Sequence, residues 1–150
     1  MKIMWNDAKI TGYVTSVTWA GSAKQAARTV VFSVAYSPND KNAKTLGIKL
    51  GDKIVFYPGY PDDKKTKFVG IITQRERKSE MGELQYTATD GMMHLLRSSG
   101  TYRFANKTPE KIAQMVCRDV KVKTGSIAKT KMPIAKIFFQ ERPYYEIIMA

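Results

Sequence analysis

The 150-residue chain holds one cysteine, Cys117, and one histidine, His94. A single thiol cannot close an internal disulfide, so the chain suits a reducing compartment or one where disulfides are not needed. One thiol and one imidazole far apart cannot supply the three or four nitrogen and sulfur ligands of a zinc site. Acidic runs are missing too: "PDDKK" interrupts itself with lysines, which excludes a carboxylate-rich calcium loop. There is no phosphate-binding glycine loop and no G-x-G-x-x-G, so neither a metal nor a cofactor is expected. No apolar run approaches the roughly 18 residues of a membrane helix. The start, "MKIMWNDAKI", lacks the continuous apolar segment of a secretory signal. These absences predict a chain made and folded in a cytoplasm, with no membrane partner.

Acids are scarce overall. Twenty-five Lys and Arg face 13 Asp and Glu, a formal net charge of +12. Such a surface attracts nucleic acid, anionic membrane or an acidic protein, and composition alone does not choose among them. The surplus is uneven. From Arg103 to Lys136 there are nine basic residues against only Glu110 and Asp119.

What is present is mostly β pattern. In "YVTSVTW" Tyr13, Thr15, Val17 and Trp19 fall on one face, and in "TVVFSVAY" Val30, Phe32, Val34 and Tyr36 do the same. "AGSAKQAAR" between them is long for a hairpin tip and predicts a loop. Turn signals at Pro38-Asn39-Asp40 and Gly51-Asp52 precede a strand "KIVFY"; "FVGIITQ" and "LQYTATD" follow, separated by a charged tip, "RERKSEMGE". Leu84, Tyr86 and Ala88 share a face of the last. Five or six short strands joined by polar turns predict a small antiparallel barrel or sandwich.

The pattern changes within "ATDGMMHLLRSSGTYRF", residues 88 to 104. Met92, Leu95, Leu96 and Ser99 sit at helical spacing, Gly100 ends that run, and "TYRF" reads as a short extended piece. "TPEKIAQMVCRDV" is a helix with Thr108 as N-cap, Pro109 in the first turn and Glu110 favouring the dipole. Its apolar face carries Ile112, Met115, Val116 and Val120, with Ala113 and Cys117 beside them. Residues 121 to 143 show no helical period, and "RPYYEIIMA" reads as the start of a further helix.

Asp90, His94 and Ser98 invite a reading as a catalytic trio. A nucleophilic serine needs a sharp, exposed elbow and an oxyanion hole. "RSSG" offers neither, so the trio reads as a junction, with Asp90 as a helix cap. Cys117 reads as a packed thiol. The lysine-rich "KTGSIAKTKMPIAK" is either a solvated connection or a contact for an acidic partner. A small barrel can also bind single-stranded nucleic acid on exposed aromatics above a basic groove, with Trp19, Tyr36, Tyr57 and Tyr60 as the candidate platforms.

"SVTWAGSAKQAARTVVFSV", "LGDKIVFY", "FVGIITQRER" and above all "YTATDGMMHLLRSSGTYRFANKTPEKIAQMVCRDV" together resemble the tail-hub (baseplate hub) proteins of contractile-tailed phages and of defective prophages of Gram-positive bacteria. The resemblance covers most of residues 10 to 150 and rests on structural motifs that mark no catalytic residue. It implies a structural, non-enzymatic part of a virion tail or phage-like particle, assembled in the bacterial cytoplasm. Its implied partners are further copies of itself, as a homotrimer ring, together with tail tube and spike proteins. Hub proteins of this kind resemble one another in having two barrels per chain, and this chain ends where they continue, which predicts a truncated or fragmentary form.

The reading is thus an α+β chain: an N-terminal antiparallel β-barrel over residues 1–89, then a small helical domain over 90–150. Single-stranded nucleic-acid binding is the alternative function. The tips "AGSAKQAA" and "RERKSEMGE" and the end of the chain are the expected protein interfaces, through Trp19, Lys24, Arg75, Arg77, Tyr144 and Tyr145.

Overall fold

Strands rich in β-branched and aromatic residues pair into a sheet, and every described strand pair of the first ninety residues is antiparallel. The computed structural model describes residues 1–22, 26–35, 46–59, 67–78 and 82–150. They form two units, Met1–Asp90 and Gly91–Ala150.

In the first unit the described strands are β1 (Lys2–Trp5), β2 (Ala8–Lys9), β3 (Val14–Ala20), β4 (Thr29–Ala35), β5 (Lys53–Tyr57), β6 (Phe68–Lys78) and β7 (Glu83–Asp90). They make one sheet in the order β2-β1-β5-β6-β7-β4-β3. Asn6 and Asp7, with φ of 43° and 71°, turn β1 back onto β2. Two positive φ values in succession match the right-handed twist of a tight hairpin. The predicted charged tip is partly strand, because β6 continues through Arg75, Glu76 and Arg77 and stays in register with β7 as far as Lys78 opposite Glu83.

The sheet curls without closing, which corrects the expected barrel. Its edge strands β2 and β3 are not hydrogen-bonded to each other among the described residues. Curling still brings distant strands together: Trp19 of β3 packs edge-on against Phe56 of β5, with ring centroids 6.0 Å apart, although the two strands are not neighbours. The chain itself bridges the open side. From Lys9 to Val14 it passes from one edge strand to the other in five residues, a span of at most about 17 Å. A 3-10 turn at Thr11–Tyr13 makes that passage, and the Thr11 hydroxyl accepts from the Ile3 amide at 3.0 Å. Ile10, only 2% exposed, fills the space behind it. The result is a half-barrel around a core of Ile3, Val30, Phe32, Ile54, Phe68, Ile72 and Tyr86.

Two details fix the packing. A bulge between Val14 and Ser16 shifts the phase of β3, so that Val14 joins Val17 and Trp19 against the core. Gly70 pairs with Asp90, and a Cβ there would lie 2.5 Å from the Thr89 carbonyl oxygen and 2.6 Å from the Phe68 ring. Only glycine permits that approach.

The second unit is not purely helical. β8 (Ser99–Lys107) and β9 (Ile134–Pro143) pair as a two-stranded antiparallel ribbon, and α1 (Met92–Arg97), α2 (Pro109–Asp119) and α3 (Tyr144–Met149) accompany it. The expected helical domain is corrected accordingly. The short extended "TYRF" is the middle of a nine-residue strand. Its core joins Leu95, Phe104, Ile112, Val116, Cys117 and Ile147, with Tyr102, Phe139, Tyr144 and Tyr145 around them. α2 begins at Pro109 with Thr108 at the N-cap position, but the Thr108 hydroxyl makes no capping hydrogen bond.

Candidate functional site

The three residues that resemble a catalytic trio have separate structural work. Asp90 closes β7, and its carboxylate accepts from Arg28 Nε at 3.1 Å with the side chain 9% exposed. The Asp90 amide donates to the Arg28 carbonyl at 3.1 Å, so the pair ties residue 28 to the end of the strand. The N-cap position of α1 belongs to Gly91 rather than to Asp90. In the second unit His94 lies exposed on α1, and the Ser98 amide donates to the His94 carbonyl at 3.1 Å. Ser98 is extended, at φ −103° and ψ 139°, which is not the strained turn of a nucleophile. Cys117 is buried, and burial pushes its thiol up, away from the thiolate that reacts. Among the described residues no three His, Cys, Asp or Glu side chains cluster as a metal site. No helix among them is long and apolar enough to cross a membrane.

The expected interface residues divide sharply. Arg75 and Arg77 stand exposed on the outer half of the β6–β7 ribbon. Lys24 lies outside the described residues. Trp19 is half-buried against the core, and its indole N–H is enclosed without a hydrogen-bond partner. Tyr144 and Tyr145 are half-buried in the core of the second unit. Tyr144 lies on Gly100, where a Cβ would meet its ring at 2.5 Å, and it meets Tyr102 edge-on at 5.6 Å. Of the proposed base-stacking platforms, Trp19 and Tyr57 are half-buried, and Tyr36 and Tyr60 lie outside the described residues. Lys2 sits over the Tyr57 ring at 5.7 Å.

The two acids of the lysine-rich segment are both engaged, which the sequence does not reveal. The Tyr102 hydroxyl donates to Asp119. Burial first, and then that bond and neighbouring Tyr144, push the Tyr102 phenol well above its ordinary value. Glu110 accepts from the Thr130 hydroxyl at 2.6 Å and from the Thr130 amide at 3.3 Å. The Thr108 hydroxyl beside it, outside hydrogen-bond geometry, and these Thr130 donors hold the Glu110 carboxyl down to about 2. The neutral spacing "EKIAQMVCRDV" gives no hint that either acid is claimed, because each partner comes from a different part of the chain.

The half-barrel and the ribbon with its helices define a mostly antiparallel β protein of the α+β class. The chain belongs to the YQBQ-like family, whose model matches residues 17–150. It is 25% identical over 136 residues to the uncharacterized protein YqbQ of Bacillus subtilis, covering 89% of this chain and 39% of that one. The 43 kDa tail protein of prophage MuSo2 from Shewanella oneidensis shares the fold at a TM-score of 0.72 and 16% identity, over 99% of this chain and 47% of that one. The Escherichia coli c3393 protein matches at a TM-score of 0.55 and 15% identity, over 81% of this chain and 34% of that one. It is a component of the type VI secretion system and is described as structurally similar to the T4 bacteriophage tail proteins gp27 and gp5. The chain spans less than half the length of each of these relatives.

Proposed function

We propose that the chain is a non-enzymatic structural subunit of a phage or phage-like tail, part of the baseplate hub that joins tail tube to spike. The observation that carries this reading is the shared fold: 99% of the chain overlays a prophage tail protein at a TM-score of 0.72. Residues 1–89 form the tail-hub domain and 90–150 a domain inserted after it. Copies of the chain associate as a homotrimer ring through heterologous contacts, the ordinary route to a closed assembly. Arg75 and Arg77 on the β6–β7 ribbon, together with Lys24, make the principal contacts. Trp19, Tyr144 and Tyr145 contribute only their exposed edges.

Light scattering over a range of protein concentrations and two salt levels tests the assembly. A trimer or hexamer that an Arg75→Glu/Arg77→Glu variant disperses is the expected result. A monomer at every concentration overturns self-association, and an oligomer indifferent to both arginines overturns the contact. Peptidoglycan or peptide cleavage that vanishes in His94→Ala would overturn the non-enzymatic reading.

A further inference from the structure

The exposed side of α2 carries a continuous row of cations. Lys111, Gln114 and Arg118 are exposed at helical spacing, Lys107 ends β8 just before them, and Lys121 and Lys123 continue beyond the helix. They surround two adjoining surface grooves. One, of about 460 Å³, is lined by Lys107, Lys111, Gln114, Met115, Arg118 and Thr124. The other, of about 390 Å³, shares Gln114, Arg118 and Thr124 and adds Lys121, Val122 and Lys123.

Among the described residues no ion pair takes up the charge along this row. Ion pairs are found between Arg28 and Asp90, Lys53 and Asp7, and Arg142 and Glu146, none of which involves the row. The two nearby acids, Asp119 and Glu110, take hydrogen bonds from uncharged donors, the Tyr102 hydroxyl and Thr130, and two carboxyl groups do not offset five cations. Five like charges left on one side repel one another, and a partner of opposite charge removes that repulsion.

We propose that these grooves are a docking surface for an acidic protein segment, whose carboxylates meet Lys107, Lys111, Arg118, Lys121 and Lys123 while its aliphatic carbons rest on Met115 and Val122. Protein is favoured over nucleic acid for two reasons. Neither groove is lined by an aromatic ring on which a base could stack, and the second unit's exposed Phe138 lines a different groove. Glu110 also stands in the first turn of α2, where a phosphate would otherwise find the helix dipole.

The test is fluorescence anisotropy on the full chain, with a labelled Glu-Ala repeat peptide and a single-stranded oligothymidylate of equal charge as probes. At about 0.1 M salt charges are screened beyond about 10 Å, so local contacts dominate. Lys111→Glu/Arg118→Glu is expected to weaken peptide binding about tenfold or more, and Lys9→Glu/Lys67→Glu, an equal charge change in the first unit, less than about twofold. Lys107→Gln/Lys123→Gln, outside the helix, gives the same reading if the reversal unfolds α2. Equal losses in the two charge-reversed variants, or no binding of the peptide by the unaltered chain, overturn the proposal. Tighter binding of oligothymidylate that the Lys111/Arg118 variant abolishes replaces it with a nucleic-acid surface.

Discussion

Replacing Gly70 by alanine tests whether the β6–β7 pairing really depends on the absence of one side chain. The added Cβ would stand 2.5 Å from the Thr89 carbonyl oxygen and 2.6 to 2.7 Å from two atoms of the Phe68 ring. The carbonyl belongs to the backbone of β7 and cannot turn away without breaking the ladder around the Gly70–Asp90 pair. Phe68 is fully buried in the core. Overpacking of this kind costs about 1–3 kcal/mol, and a strained ladder bond adds about 1 kcal/mol. The lower chain entropy of alanine returns about 0.5–1 kcal/mol, leaving a net loss of about 1–3.5 kcal/mol. For a unit of this size that lowers the melting temperature by roughly 5–25 °C. Both tryptophans, Trp5 and Trp19, lie in the first unit, so their fluorescence follows its unfolding alone. Gly47→Ala is the control, since nothing lies within 4 Å of a Cβ there. It is expected to be neutral or slightly stabilising. A Gly70→Ala protein that melts within about 2 °C of the unaltered chain, a shift worth under 0.5 kcal/mol, would refute the close-approach argument.

Four further outcomes follow from the same structure. Gly100→Ala must displace the Tyr144 ring and is expected to cost about 1–3 kcal/mol, read in the near-ultraviolet tyrosine dichroism. Tyr102→Phe removes the hydroxyl bond to Asp119, which is exposed and can return to water, so the loss should stay near 1 kcal/mol; a loss above about 3 kcal/mol would mean that the pair does more than this. Asp52 accepts from the Lys49 amide at 2.8 Å and from Trp5 Nε1 at 2.7 Å, and these two donors hold its carboxyl below the ordinary range. Asp52→Ala should cost about 1–2 kcal/mol and shift the tryptophan emission of the folded protein. Glu110 is held down to about 2 against an ordinary 4.5, so its stabilising contribution is complete above pH 4.5 and is lost as pH falls toward 2. The Thr130 amide resonance should move through that window and stand still in Glu110→Gln.

Legibility followed the range of the interaction that made each element. Val30, Phe32 and Val34 of β4, and Leu84, Tyr86 and Ala88 of β7, are buried as their alternation requires. β5 occupies the predicted "KIVFY" residue for residue. In α2 the buried Ile112, Val116 and Cys117 all lie on the apolar face that the 3.6-residue period defines. β9 escaped because its half-buried residues, Ile134, Ile137 and Phe139, do not alternate strictly. β1 and β2 are too short to show a period, although Asn6-Asp7 between them is a hairpin signal. Trp19, Tyr144 and Tyr145 carried the chemistry of an interface, and no local rule says that other strands and helices already claim most of their surface. The basic surface was visible as composition only; its assembly from β8, α2 and the segment beyond was not.

By itself, then, the sequence determined the longer strands of the first unit and the apolar faces of β4, β7 and α2, where α2 starts, and how large the basic surplus is. Each of these depends on residues within a turn or two of one another, where periodicity and turn chemistry act directly. Tertiary structure alone decided that the sheet stays open and is bridged by residues 9 to 14, that β9 pairs with β8, and that Tyr102 and Thr130 donate hydrogen bonds to Asp119 and Glu110. Those outcomes turn on contacts such as Trp19 with Phe56, Arg28 with Asp90 and Glu110 with Thr130, whose partners are set by how the chain folds back on itself.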